Sequence, residues 1–268
     1  MNIPDLPFDP VSIDIPDNQL PNVSILIPCY QRRNFIPLMI SNIICQDYPR
    51  DKLELVILQD GDEDLFIDDK RKQLFEKSIG IKFRYIYEKN IRRTIGEKRN
   101  KLVKLASHNI CAMMDSDDIY MSSYIRHSVN GLKEYKAGIS SSACMTFVYP
   151  NNDYLMTAIK CGYKYQCHEA CAVFTKKYWK KMGGFNKTSA GEGIGMFSYN
   201  DREIINLDIN KLMVCIAHSD NTIDKEQFSN QNREYAIFSN DGLKTLITRC
   251  LKKWGQLLVD LVKKFFLD

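Results

Sequence analysis

At 268 residues, with 44% hydrophobic, 26% charged and 11% aromatic residues, the chain has the composition of a soluble globular protein long enough to bury a large core. A net charge of +4 gives no nucleic-acid signal, no apolar run is long enough to span a bilayer, and nine scattered cysteines outline no disulfide framework. The expectation is a reduced, cytoplasmic protein with no signal peptide, touching a membrane only from its surface.

Residues 1–20, rich in Pro and Asp, read as an extended leader on the domain surface. Residues 23–27 form a compact buried strand stopped by Pro28, and helical spacing follows over 35–45. A second strand at 53–58 runs into Gln59-Asp60-Gly61-Asp62. A helix over about 64–78 leads to a third strand at 81–87, and a basic helix at 96–107 feeds a fourth. This alternation predicts an α/β fold with a mostly parallel, twisted, Rossmann-like sheet flanked by helices, whose outgoing loops share one edge.

The fourth strand empties into Asp115-Ser116-Asp117-Asp118 at that edge, where ligands of open α/β sheets bind. Carboxylates crowded this closely need a cation or several donors to offset their charge, and Mg²⁺ or Mn²⁺ suits oxygen ligands that share phosphate oxygens. A polar turn with Ser116 capping a following helix is the plainer reading of the same residues. Asp60 beside Gly61 can accept from a base or ribose, and Lys98 and Arg99 can meet phosphate, since the sequence has no glycine-rich phosphate loop.

Five pieces then occur in order over roughly 21–220: Val23-Ser24-Ile25-Leu26-Ile27-Pro28-Cys29-Tyr30, Asp60-Gly61, Gly96-Glu97-Lys98-Arg99-Asn100, Asp115-Ser116-Asp117-Asp118 and Gly183-Gly184-Phe185. Together they resemble the family 2 glycosyltransferases of the GT-A fold. The resemblance implies a donor half at about 21–118 and an acceptor half at about 119–220. Pro28, Tyr30 and Asp60 would then hold the base and ribose of a nucleotide sugar, with Arg99, Asp115 and Ser116 near the nucleotide. Asp115 and Asp117 match the family's DxD motif, and Asp117 would ligate Mn²⁺ or Mg²⁺ directly. His218, followed by Asn221-Thr222, resembles a late histidine that joins the metal or the diphosphate.

In that family the base follows the Gly-Gly-Phe element, commonly as a Glu-Asp pair. Here Glu192 is followed by Gly193, so Glu192 is the first choice and Asp201 the fallback. Cys161, Cys167, His168 and Cys171 fit no standard zinc spacing and read as buried thiols near a histidine.

Residues 221–242 read as a linker or lid. Residues 243–268 repeat apolar positions at helical spacing and hold six basic and two acidic residues, matching the whole net charge. Such a C-terminal basic amphipathic helix either lies on an anionic membrane surface or packs on its own domain or on a second copy in a homodimer. The function expected is metal-dependent, inverting transfer of a sugar from a UDP-, GDP- or dTDP-sugar to a glycan, glycolipid or glycoprotein hydroxyl. The alternatives are a nucleotidyltransferase, or a non-catalytic nucleotide-sugar or membrane-binding protein with a degenerate site.

Overall fold

The computed structural model describes residues 6–152, 155–197 and 201–219, together with 221, 225, 228 and 229. The calls for a helix at 243–268 and for most of the linker at 221–242 therefore fall outside the described residues.

Along the chain come β1 (Val23–Cys29), α1 (Ile36–Ile44), β2 (Leu53–Gly61), α2 (Asp69–Ile79), β3 (Lys82–Lys89), α3 (Ile95–Leu105), β4 (Ile110–Met113) and β5 (Ile119–Tyr120). They are followed by α4 (Tyr124–Glu134), β6 (Ile139–Ser141), β7 (Cys144–Tyr149), β8 (Leu155–Lys160), β9 (Val173–Thr175), α5 (Lys176–Met182), β10 (Ile204–Asn206) and β11 (Met213–Ile216). Seven strands join in the order β10-β6-β9-β4-β1-β2-β3. All the pairings are parallel except those of β9, which runs against both β4 and β6. A second sheet, β5-β11-β7-β8, starts just after the acidic turn.

The strands alternate their side chains between two apolar layers. Ile25 and Ile27 of β1 and Leu55 and Ile57 of β2 pack with α1 and α4, whereas Leu26, Val56 and Leu58 pack on the other face with Leu102 and Val103 of α3. Burial on both faces explains why these strands read as continuous apolar runs.

Two boundaries differ from the sequence expectation. β1 continues through Pro28, which pairs in register with Leu58. β4 accompanies β1 only from Val23 to Leu26, so on that side no strand requires the N–H that proline lacks. α2 begins at Asp69, because Asp68 caps it by accepting from Arg71 N–H at 2.8 Å. Buried Leu65 and Phe66 precede it, with Leu65 N–H held by the Tyr85 hydroxyl at 3.2 Å. Residues 6–20 lie along α4 and β10. Ser12 N–H donates to Glu134 at 2.9 Å, and Asn206 N–H donates to Asp9 at 2.9 Å.

Candidate active site

β1 and β4 are parallel neighbours, so their carboxyl ends open at the same edge, and β4 delivers the acids there. The turn is fastened by its own backbone: Met114 N–H donates to Leu26 C=O at 3.0 Å, and Asn42 of α1 bridges Asp118 C=O and Tyr120 N–H at 2.8 and 3.0 Å. The Tyr120 hydroxyl accepts from Asp115 N–H at 2.7 Å and donates to Ala170 C=O at 2.8 Å. That one buried phenol ties the acidic turn to the segment before β9. A cleft of about 230 Å³ opens here, and Pro28, Tyr30, Lys98, Arg99, Glu169 and Glu192 are among the residues in its wall with all four of the 115–118 turn.

Each acid of the turn meets a cationic or imidazole side chain. Asp117 Oδ2 lies 3.1 Å from Arg32 Nε and 3.3 Å from His218 Nε2. Asp115 Oδ1 lies 3.1 Å from Arg99 Nη2, and Asp118 Oδ1 lies 3.0 Å from Lys225 Nζ. Burial raises the Asp115 carboxyl to about 6, with Asp118 and Asp117 adding to the rise against the pull of Arg99. Burial acts the same way on Asp117, but His218, Arg32 and Lys225 outweigh it and bring that carboxyl to about 2. Arg99 is enclosed between Asp115 and Glu192, with Nε 3.3 Å from Glu192 Oε1, and its buried Nη1 has no hydrogen-bond partner among the described residues.

Behind this wall, Asp60 is fully buried. Its carboxylate accepts from Lys98 Nζ at 2.8 Å, from Arg93 N–H at 2.7 Å and from Arg92 at 3.4 Å. Asp60 thus organises cations whose other faces reach the cleft. Arg92 lies over the Tyr30 ring with its guanidinium carbon 3.4 Å from the centroid. Gly61, at φ +99°, lets the chain turn there, and a Cβ on it would meet Tyr30 Cε2 at 2.8 Å.

The structure therefore brings together Pro28, Tyr30, Arg99, Asp115, Ser116, Asp117 and Glu192 in the cleft wall, with His218 against Asp117. Asp60 stands behind it, and the side chain of Asp201 lies outside the described residues. Four charged wall residues were not picked out from the sequence: Arg32, Arg92, Glu169 and Lys225. Arg32 and Lys225 lie 85 and 107 positions from the acids they meet, so no local spacing could have paired them.

Among the described residues no group of three or more His, Cys, Asp and Glu side chains forms a ready metal cage. Asp117 and His218 nonetheless converge, and hard divalent ions are commonly held by one or two protein ligands with phosphate oxygens and water completing the shell. His168, buried beside Cys171 Sγ at 3.4 Å, is held neutral: burial, then Arg99, lowers its pKa to about 3.

The parallel sheet, its one reversed strand and the acidic turn at the carboxyl edge define a GT-A domain. The glycosyl transferase family 2 model matches residues 24–206, and the chain belongs to that family. An uncharacterized glycosyltransferase of Rickettsia felis is 30% identical over 114 residues, which is 42% of this chain but 18% of the relative. One from Rickettsia typhi is 27% identical over 114 residues, 33% of its length. Among solved structures, the mannosyltransferase PcManGT of Pyrobaculum calidifontis, in complex with GDP-Man and Mn²⁺, superposes with a TM-score of 0.58 at 20% identity, covering 79% of this chain and 60% of that one. TarS 1–349 of S. aureus, in complex with UDP-GlcNAc, gives 0.57 at 15% identity, covering 77% and 63%. These likenesses share the fold. No helix among the described residues is long and apolar enough to cross a membrane.

Proposed function

We propose that this glycosyltransferase moves a sugar, with inversion and with the help of a divalent cation, from a UDP-, GDP- or dTDP-linked donor to a hydroxyl of a glycan, glycolipid or glycoprotein. The observation that carries the reading is the convergence on one cleft of the 115–118 acids with the cations Lys98 and Arg99 and, on the acceptor side, the carboxyls of Glu169 and Glu192. The GDP-Man, Mn²⁺ and UDP-GlcNAc found in structures of the same fold support a nucleotide-sugar donor and a metal.

Asp117, with Asp115 and His218, would hold Mn²⁺ or Mg²⁺, which when bound offsets the charge gathering on the diphosphate as it leaves. Arg99 offers its unpartnered Nη1 to phosphate or sugar oxygens, and Lys98 adds positive charge from its place on Asp60. Pro28 and Tyr30 line the end where the base would sit, and Arg92 covers the face of Tyr30 on which a base would stack. The acceptor's proton goes to the Glu169–Glu192 pair.

Incubation with radiolabelled UDP-, GDP- and dTDP-sugars and Mn²⁺ tests the reaction class. Release of a nucleoside diphosphate with transferred or free sugar is expected. Pyrophosphate formation from a nucleoside triphosphate and a sugar phosphate would instead make the chain a nucleotidyltransferase, and absence of any product would favour a binding role.

A further inference from the structure

The structure assigns the proton-accepting role to Glu169, on the short turn before β9, and makes Glu192 the residue that positions it; the assignment rests on the transferase reading above. The two carboxyls lie within hydrogen-bonding reach of each other, and both line the cleft that holds the acidic turn. They differ in what else they touch. Glu192 is 4% exposed at its side chain, and its Oε1 is engaged by Arg99 Nε at 3.3 Å. Glu169 is half-buried as a residue where Glu192 is buried, and among the described residues it has no comparably close ion pair, so it is the less engaged of the two carboxyls.

The backbone makes room for this arrangement. A Cβ at Gly193 would fall 2.4 Å from Glu169 Oε2 and 3.2 Å from its Cδ, so a side chain at 193 would push the Glu169 carboxyl from its observed position. On the far side, the Tyr120 hydroxyl holds Ala170 C=O to the acidic turn at 2.8 Å, which fixes the Glu169 turn relative to Asp115.

Two carboxyls this close favour sharing a proton. Burial first, and Glu192 second, raise Glu169 to about 7, with Arg99 opposing; its other neighbours, the Cys171 thiol and the His168 imidazole, stay neutral. A carboxylate in that range is matched to deprotonating a hydroxyl near neutral pH. In the step, the acceptor oxygen forms its bond to the anomeric carbon and its proton passes to Glu169. The bond from that carbon to the diphosphate oxygen breaks, its electron pair leaves with the nucleoside diphosphate, and Glu169 returns the proton to solvent.

The test uses the full chain and three variants, Glu169→Gln, Glu192→Gln and Gly193→Ala. The assay follows nucleoside-diphosphate release from whichever UDP-, GDP- or dTDP-sugar the wild type turns over fastest, with water as acceptor. Glu169→Gln is expected to lower kcat by roughly 10²–10⁴-fold while keeping the nucleotide-induced rise in melting temperature. Glu192→Gln should move the acid limb of the kcat–pH profile to lower pH, because Glu169 then ionises without a neighbouring negative charge. Gly193→Ala, which changes no acid, should lower kcat by displacing Glu169. Independently of substrate, ¹³C NMR of side-chain-labelled glutamate should show one carboxyl titrating near pH 7 that is missing in Glu169→Gln. Wild-type kcat in Glu169→Gln, or ordinary carboxylate titration of Glu169, would overturn the assignment. A wild type whose melting temperature no nucleotide raises would instead count against the transferase reading itself.

Discussion

Asp117→Asn is expected to lower metal-dependent nucleotide binding and turnover by about 10²-fold or more, with the fold retained and a smaller drop in melting temperature than Asp117→Ala gives. A bound divalent ion is worth several kcal/mol of charge stabilisation at the phosphate beside it, and a neutral amide in place of the carboxylate removes the charge that holds the ion. The amide keeps the size of the side chain and can still accept from Arg32 Nε, which sits at 3.1 Å. Alanine is the worse probe. It would leave the Arg32 guanidinium, 9% exposed, with neither the charge nor any acceptor at that position, and removing one member of a buried pair outright costs about 3–5 kcal/mol. Comparing the two variants separates the two roles. Loss of Mn²⁺-dependent nucleotide binding in the asparagine variant, with its fold intact, supports the metal assignment; affinity equal to wild type would remove Asp117 from it.

Lys98→Met should destabilise the domain by about 3 kcal/mol, the low end of the range for breaking a buried ion pair. At this chain length that is about 6–12 °C in melting temperature. Lys98 Nζ lies 2.8 Å from Asp60 Oδ1 and 3.0 Å from Cys29 C=O, with both side chains of the ion pair almost wholly shielded from solvent. Removing the ammonium leaves Asp60 buried with Arg93 N–H at 2.7 Å and the half-exposed Arg92 at 3.4 Å, and those two contacts keep the cost from being larger. Adding Asp60→Asn should recover most of the loss, since the neutral amide still accepts from Arg93 N–H and carries no charge to be stranded. Chemical denaturation of the single and double variants checks this. A double variant no more stable than Lys98→Met would mean that Lys98 acts through packing.

The frame of the domain was legible because its information is local. Apolar runs at 23–27 and 110–114, helical spacing over 96–107 and the glycines after residue 182 each announce an element within a dozen positions. Gly183 does close α5 in the left-handed region, at φ +81°. The acids of the 115–118 turn were legible for the same reason. What compensates them was not. Arg32 arrives from the loop after β1 and Lys225 from beyond β11, and only the completed sheet puts them beside Asp117 and Asp118. Asp60 shows the converse. Its position at the end of β2 was readable, but the three donors on its carboxylate were not, and two of them, Lys98 and Arg92, belong to the cleft wall. Glu169 carried no signal at all in the sequence, because its meaning depends on Glu192 and on the missing side chain of Gly193, both supplied by a segment that follows α5.

The central claim, a nucleotide-diphosphate donor site completed by a divalent cation, is tested most directly by thermal unfolding of the protein with UDP, GDP or dTDP, each with and without Mn²⁺. A ligand at a hundredfold its Kd that binds only the folded state adds about 2.7 kcal/mol. The account predicts a clear rise for one nucleotide that requires the metal and disappears in Asp117→Asn. No rise with any nucleotide, or a rise indifferent to Mn²⁺, would contradict it.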